Sequence, residues 1–326
     1  MPTGARTSAL GGAGVAEATG LAGAQINPAG LGRLWRDEVA FSGARWMDDV
    51  QYQTAGYAHP FVKGGAVTAN LLSLNYGDIP SFAPSGGAEG SVSARDSAAR
   101  LGYGRGWGDQ CWWGAQGVLA QETLAGETYQ TFAVDGGALW LPIRRGMFQT
   151  LTLGAAFRNW GKSPSGGALP RALQAGVNLR PFFEGLSVSA DTVLTGDDPA
   201  IWLAGLEYWA KGVVAFRLGY NGREAREGSG VTMGFGFRVL DLQVDYGYVG
   251  FGALGETHHL GLTYRFGSVA ERHYERGLAS LQQKDYAQAV IHFARAVSLD
   301  PQHRRAMKGL REASAKLQEQ DSARPR

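Results

Sequence analysis

Between Asp37 and Phe266 apolar and polar positions alternate with period two, as in strands that bury one face. The second half shows it best. Leu151, Leu153, Ala155 and Phe157 share one face, as do Leu173, Ala175, Val177 and Leu179, then Leu186, Val188, Ala190 and Thr192. Val214, Phe216, Leu218 and Tyr220 continue the series, followed by Val231, Met233, Phe235 and Phe237. Opposite them stand Arg158, Gln174, Asn178, Arg180, Ser187, Asp191, Arg217 and Arg238, with glycines between. The pattern divides the region into about fourteen strands, an even number as in single-chain bacterial barrels. They fall near 37–46, 50–59, 65–77, 95–104, 110–122, 127–140, 150–160, 171–180, 185–194, 201–209, 212–220, 230–239, 241–249 and 257–266. After Gly267 the period becomes about 3.6, which predicts helices. The chain therefore reads as three segments, 1–36, 37–267 and 268–326.

Alternation alone suits a soluble sandwich as well as a membrane barrel. Connection lengths separate the two. The connections 78–94, 161–170, 221–229 and 250–256 are long, whereas Ala210–Lys211 and the turn near Leu240 are short, which is the outer-membrane habit. Trp202, Tyr208, Tyr246, Tyr248, Tyr264 and Phe266 sit at strand ends, where interface aromatics are expected. The final strand, Thr257–Phe266, resembles the C-terminal assembly signal of bacterial outer-membrane barrels at His259, Gly261, Tyr264 and Phe266.

Residues 4–36 are small and rich in Gly and Ala, without strand alternation. Asn27-Pro28 is helix-start chemistry, Asn capping free N–H groups and Pro fitting the first position. Gly11, Gly12 and Gly14 follow no strand and lack an acidic partner downstream, so a nucleotide loop is not read here. This segment resembles the N-terminal plug of the FadL-like outer-membrane family, above all its PorV/PorQ branch. The resemblance rests on Gly4, Ala5, Arg6, Leu10 to Ala13, Ala16, the plug motif Asn27, Pro28, Ala29, Gly30 and Leu31, and Trp46, and it extends over roughly 4–267. The expected fold is mainly β: a 14-stranded antiparallel transmembrane β-barrel with an N-terminal plug, followed by a small helical domain. That domain resembles a single tetratricopeptide repeat at Gly277, Tyr286, Ala289, Phe293, Ala296 and Pro301, with His273 where the family usually has Trp. A third helix near 302–319 caps the pair.

Composition agrees with many short strands and turns: 49 of 326 residues are Gly. Only 18% are charged, the net charge is +2 and the basic residues are scattered, so no nucleic-acid partner is expected. No run of about 18 apolar residues exists to form a membrane helix, a condition that does not bear on barrels. Met1–Leu10 has no apolar signal core, so the numbering is expected to start at the mature protein or at a misplaced start. Cys111 is the single cysteine, flanked by Trp112 and Trp113.

No catalytic, cofactor or metal site is expected. His258 and His259 point to opposite faces of one strand, and Asp48-Asp49 and Asp197-Asp198 have turn chemistry without calcium-loop spacing. Arg158, Arg180, Arg217, Arg238 and Arg265 with Glu207, Asp191 and Asp245 read as a lumen charge lattice. The lumen-facing positions are expected to be polar or Gly rather than greasy.

The PorV/PorQ resemblance implies a non-enzymatic scaffold or shuttle of type IX-like protein secretion, in contact with outer-membrane lipid, secretion-system proteins or secreted cargo. The wider FadL resemblance implies transport of hydrophobic small molecules. An even strand count returns the chain to its starting side, so the helical tail is expected in the periplasm. It would dock a periplasmic protein there, with Tyr274 and Leu281 as candidate contacts unless the barrel uses them.

Overall fold

The computed structural model describes residues 4–322, apart from 47–49, 63–64, 83–85, 144–147, 163–168, 182, 197, 227 and 302. Asp48, Asp49 and Asp197 thus lie outside the described residues. Fourteen strands close into one antiparallel barrel. They are β1 (Asp37–Arg45), β2 (Gln51–Pro60), β3 (Ala66–Phe82), β4 (Ala88–Trp107), β5 (Cys111–Leu124), β6 (Glu127–Ile143) and β7 (Phe148–Lys162), then β8 (Ala172–Pro181), β9 (Leu186–Thr195), β10 (Ile201–Ala210), β11 (Val214–Asn221), β12 (Val231–Val239), β13 (Leu242–Gly250) and β14 (Glu256–Phe266). Each pairs with its sequence neighbours, and β1 closes on β14 from Asp37↔Phe266 to Arg45↔His258. Closure leaves no sheet edge. No helix among the described residues is long and apolar enough to cross a membrane.

The predicted faces are the observed ones. Phe216, Leu218, Met233, Phe235, Leu260 and Leu262 are exposed on the outer wall, while Gln174, Asn178, Asp191 and Arg217 are buried inside. Aromatic groups mark both ends of this apolar wall. At the end where the helical tail begins, Tyr57, Tyr264 and Phe266 stack with centroids 5.8–6.3 Å apart. At the far end Tyr246 and Tyr248 flank His258.

One expectation is corrected. The segment 78–94 is not a long loop, because β3 runs to Phe82 and β4 starts at Ala88. β3 to β7 hold 14–20 residues, against 8–11 in the other strands, so five strands stand taller at the far end.

The N-terminal segment forms two short helices, α1 (Ala5–Ala9) and α2 (Gly20–Ala24), and a 3-10 turn over Pro28–Arg33. They contact the inner faces of strands around the barrel: α1 meets β11 to β14, α2 meets β1 and β2, and the turn meets β3 to β6. Beyond Gly267 come α3 (Val269–Gln282), α4 (Tyr286–Leu299) and α5 (Arg304–Ser322). Ser268 caps α3 by accepting from the Glu271 N–H, and Asp285 caps α4 by accepting from that of Gln288.

Candidate functional site: the plugged lumen

The plug is held by charge. Arg6 donates to both Glu207 oxygens and to Glu17, each at 2.9 Å, and Glu17 also meets Arg180 at 3.1 Å. Glu207 accepts from Arg217 at 2.7 Å, and Arg217 reaches Asp245 at 2.8 Å. One ion-pair network thus ties the plug to β8, β10, β11 and β13. Such a network stabilises only while complete, because removing one member leaves a buried charge unpaired.

Backbone contacts complete the seat. The Asp191 carboxylate accepts from the Gly14 and Val15 N–H groups at 2.7 and 2.9 Å, and Glu38 accepts from Leu21 N–H and from Arg265. Asn27 is fully buried, its Oδ1 accepting from Ala29 N–H while its Nδ2 donates to the carbonyls of Val15 and Ala138. The cap expected of Asn27-Pro28 is therefore formed, on a 3-10 turn. Ala29, Gly30 and Leu31 in that turn are buried. A Cβ at Gly30 would meet the Ala18 carbonyl oxygen at 2.6 Å, and one at Gly154 would run into the backbone of Val15 and Ala16. Bare glycine is what lets the plug lie this close to itself and to the wall.

The lattice expected from Arg158, Arg180, Arg217, Arg238 and Arg265 divides. Arg180, Arg217 and Arg265 enter ion pairs, Arg238 donates to Gln243 and covers Trp209 at 4.2 Å, and Arg158 donates to Gln174. Of the assembly-signal residues, His259 is buried and faces the lumen, and Gly261 lies beside Ala5 of the plug. Tyr264 is exposed on the outer wall, where it stacks on Phe266. No cluster of three metal-ligating side chains occurs among the described residues.

The lumen is not polar throughout, contrary to expectation. At the far end of β1 to β3, Ala44, Tyr52 and Leu74 are buried facing inward, with Trp46, Val50, Leu72 and Tyr76 packed on them. Beside this patch the outer wall carries an open recess of about 660 Å³, rimmed by Phe41, Leu71, Leu260 and Leu262 with Gly43 and Ala55 between.

The tail is bolted to the rim. Arg272 of α3 donates to Asp37 and to the Pro60 carbonyl, both at 2.6 Å. Trp35, between plug and β1, stacks on His273 at 4.8 Å beneath the Arg276 guanidinium at 4.1 Å. Burial first, then His292, Arg276 and Arg295, push the His273 pKa down to about 4, so the ring is neutral at pH 7. Burial likewise lowers His292, whose Nδ1 lies 3.3 Å from that of His273.

Within the tail, Ala289, Phe293 and Ala313 form the core, and Ala296 is fully buried. Phe293 fills the gap left by Gly277 and Gly309. Tyr286 opens α4, and Pro301 lies in the turn before α5. Tyr274 and Leu281, the candidate partner contacts, are partly buried against this core, with Tyr274 5.9 Å from Phe293.

Sequence reading missed Glu17 and Glu38, which hold the plug. It also missed the inward Leu72, Leu74 and Tyr52.

Comparison with known proteins follows the same division. The tetratricopeptide repeat family matches residues 270–303. No curated protein sequence matches the chain. Among solved structures, the CymD monoaromatic hydrocarbon channel superposes with a TM-score of 0.59 at 10% identity, covering 82% of this chain and 98% of that one. A Pseudomonas aeruginosa FadL homologue gives 0.55 at 11% identity, covering 81% and 98%. A TodX monoaromatic hydrocarbon channel mutant gives 0.53 at 14% identity, covering 81% and 99%. The chain thus has the fold of FadL-like outer-membrane barrels, with a tetratricopeptide repeat in its tail.

Proposed function

We propose that the protein is a non-enzymatic outer-membrane channel for small hydrophobic molecules, closed by its plug, with a periplasmic tail that docks a protein partner. The observation that carries this reading is the apolar patch of Tyr52, Leu72 and Leu74 inside the far mouth. This cluster makes the far mouth apolar where the rest of the lumen is mostly polar, and an apolar lining of that kind suits a hydrophobic solute. The channels that share the fold include two named for monoaromatic hydrocarbons, which supports the substrate class. The test is accumulation of labelled toluene by cells producing the protein. Wild type should exceed cells lacking it, and Leu72→Asp with Leu74→Asp should remove the excess; equal accumulation with and without the protein would refute the reading.

A second reading follows the PorV/PorQ resemblance at Gly4 to Ala13 and Asn27 to Leu31. In it the barrel is a scaffold or shuttle of a type IX-like secretion system, binding secretion proteins or cargo. The ion-paired plug and the repeat bolted to the rim favour it. In-cell crosslinking that recovers secreted cargo on the barrel, with no hydrocarbon uptake, would select it.

A further inference from the structure

Among the described residues, four arginines inside the barrel are ion-paired, and Arg238, which is not, donates to Gln243 and covers Trp209. Arg6, Arg180, Arg217 and Arg265 each meet a carboxylate within 3.1 Å. Arg100 on β4 and Arg158 on β7 form no ion pair among the described residues. The Nε and Nη1 of Arg100 and the Nε of Arg158 are shut off from solvent with no acceptor. Both side chains are half-buried, so each keeps part of its surface open.

The carboxylates in reach of Arg158 are largely engaged elsewhere, and only the Oδ1 of Asp191 is left without a hydrogen-bond partner. Asp135 accepts from Gln116 and from the Asn159 N–H, and Asp191 accepts from Gly14, Val15 and Gln174. The cations in reach are Arg100 and Arg223, the latter in the loop after β11. Asp135 lies between Arg100 and Arg158, bound to Gln116, which pairs with Gly102 beside Arg100, and to the Asn159 N–H beside Arg158, so the two arginines share one stretch of wall, with Arg223 near enough to act on Arg158. A desolvated cation without a counter-charge is unfavourable, and repulsion among three makes it more so. An anion between them reverses both effects. Guanidinium groups present paired N–H donors at the spacing of two oxygens on one centre, which favours oxyanions over halides.

We propose that Arg100 and Arg158, with Arg223 beside them, form a lumenal site for an oxyanion: a carboxylate, phosphate or sulfate group. The inference does not rest on the channel reading, since a scaffold with this lumen would bind the same anion. The site also connects to the plug through a chain of three hydrogen bonds. Gln174 accepts from Arg158 at 2.9 Å and donates to Asp191, which grips Gly14 and Val15.

The test is calorimetric titration of the purified full chain in detergent with sodium sulfate, inorganic phosphate and sodium benzoate, with ionic strength held constant by chloride. Saturable binding of at least one is expected, weakened at least tenfold in the R100Q/R158Q double variant and unchanged in R238Q. Sulfate or phosphate binding alone would identify a free inorganic anion as the ligand, whereas preference for benzoate would identify the anionic group of an organic molecule. A second measurement needs no variant: in wild type, the ligand that binds should protect Arg100 and Arg158 from an arginine-selective dicarbonyl reagent, read by mass spectrometry. Absence of saturable binding by all three, or equal binding by the double variant, would overturn the proposal.

Discussion

Arg6 and Glu207 stand 201 positions apart and meet through two hydrogen bonds of 2.9 Å. This contact joins the first helix of the plug to the middle of β10. Glu207→Gln removes the charge that Arg6 and Arg217 share while keeping the side chain's size, so both guanidinium groups lose their main counter-ion. Breaking a buried network in this way costs about 3–5 kcal/mol. The plug should loosen before the barrel does. Planar-bilayer recordings are expected to show frequent openings in E207Q and rare ones in wild type, with heat-modifiable gel migration preserved in both.

The tail should detach without harming the barrel. Arg272→Ala removes the bonds to Asp37 and Pro60, and Trp35→Ala removes the ring held between His273 and Arg276. Protease cleavage near Gly267 is expected to accelerate at least tenfold in the double variant. The barrel core released by the protease should run as wild type does.

Docking of the tail should weaken in acid. Releasing the tail takes His273 off Trp35 and relieves part of its burial, so its pKa rises from about 4 toward the ordinary 6.5, against the pull of His292, Arg276 and Arg295, which stay beside it. Between those values the released form binds more protons, so docking strengthens as pH rises and is lost as pH falls from about 6.5 toward 4. His292 shifts the same way, opposed by Asp109 and Asp285, while Arg276 and Arg295 also bear on the pair. Cleavage near Gly267 should be faster at pH 5 than at pH 7.5. His273→Phe should flatten much of that difference.

The opposite sign applies at the far end. Glu224, in the loop between β11 and β12, is buried with one oxygen unpartnered, and burial pushes its carboxyl up to about 7. The folded loop then holds a proton that the unfolded loop releases, so stability falls as pH rises from about 4.5 to 7. Glu224→Gln should raise Tm over wild type at pH 8, and the gap should shrink at pH 5.

The barrel was legible because lipid on one side and a polar lumen on the other force alternation, as Val214 to Tyr220 shows residue by residue. The tall strands were not. Above the apolar wall both faces meet water, so 78–94 has no alternating pattern to read. The inward patch was hidden for the converse reason. In Leu71 to Leu74 leucines stand on both faces, Leu71 outside and Leu72 and Leu74 inside, and alternation cannot assign them. The plug's anchors had a signal that alternation does not carry: Arg6 and Glu17 are the only charged residues between Gly4 and Gly32. Isolated charges in an apolar segment imply partners, but only the folded chain shows that these are Glu207 and Arg180.

The seam between β1 and β14 has a consequence for the order in which the molecule is made. Glu38 on the first strand accepts from Leu21 of the plug and from Arg265 on the last strand, 227 positions away. Neither that seam nor this part of the plug's seat exists until the final strand has been synthesised, and contacts so distant along a chain form late. A chain stopped before β14 would expose bare edges on β1 and β13, each a template for pairing with a stranger. The plug, made before every strand of the barrel, is thus among the last parts to settle, and it must wait, unseated, for a strand more than two hundred residues behind it.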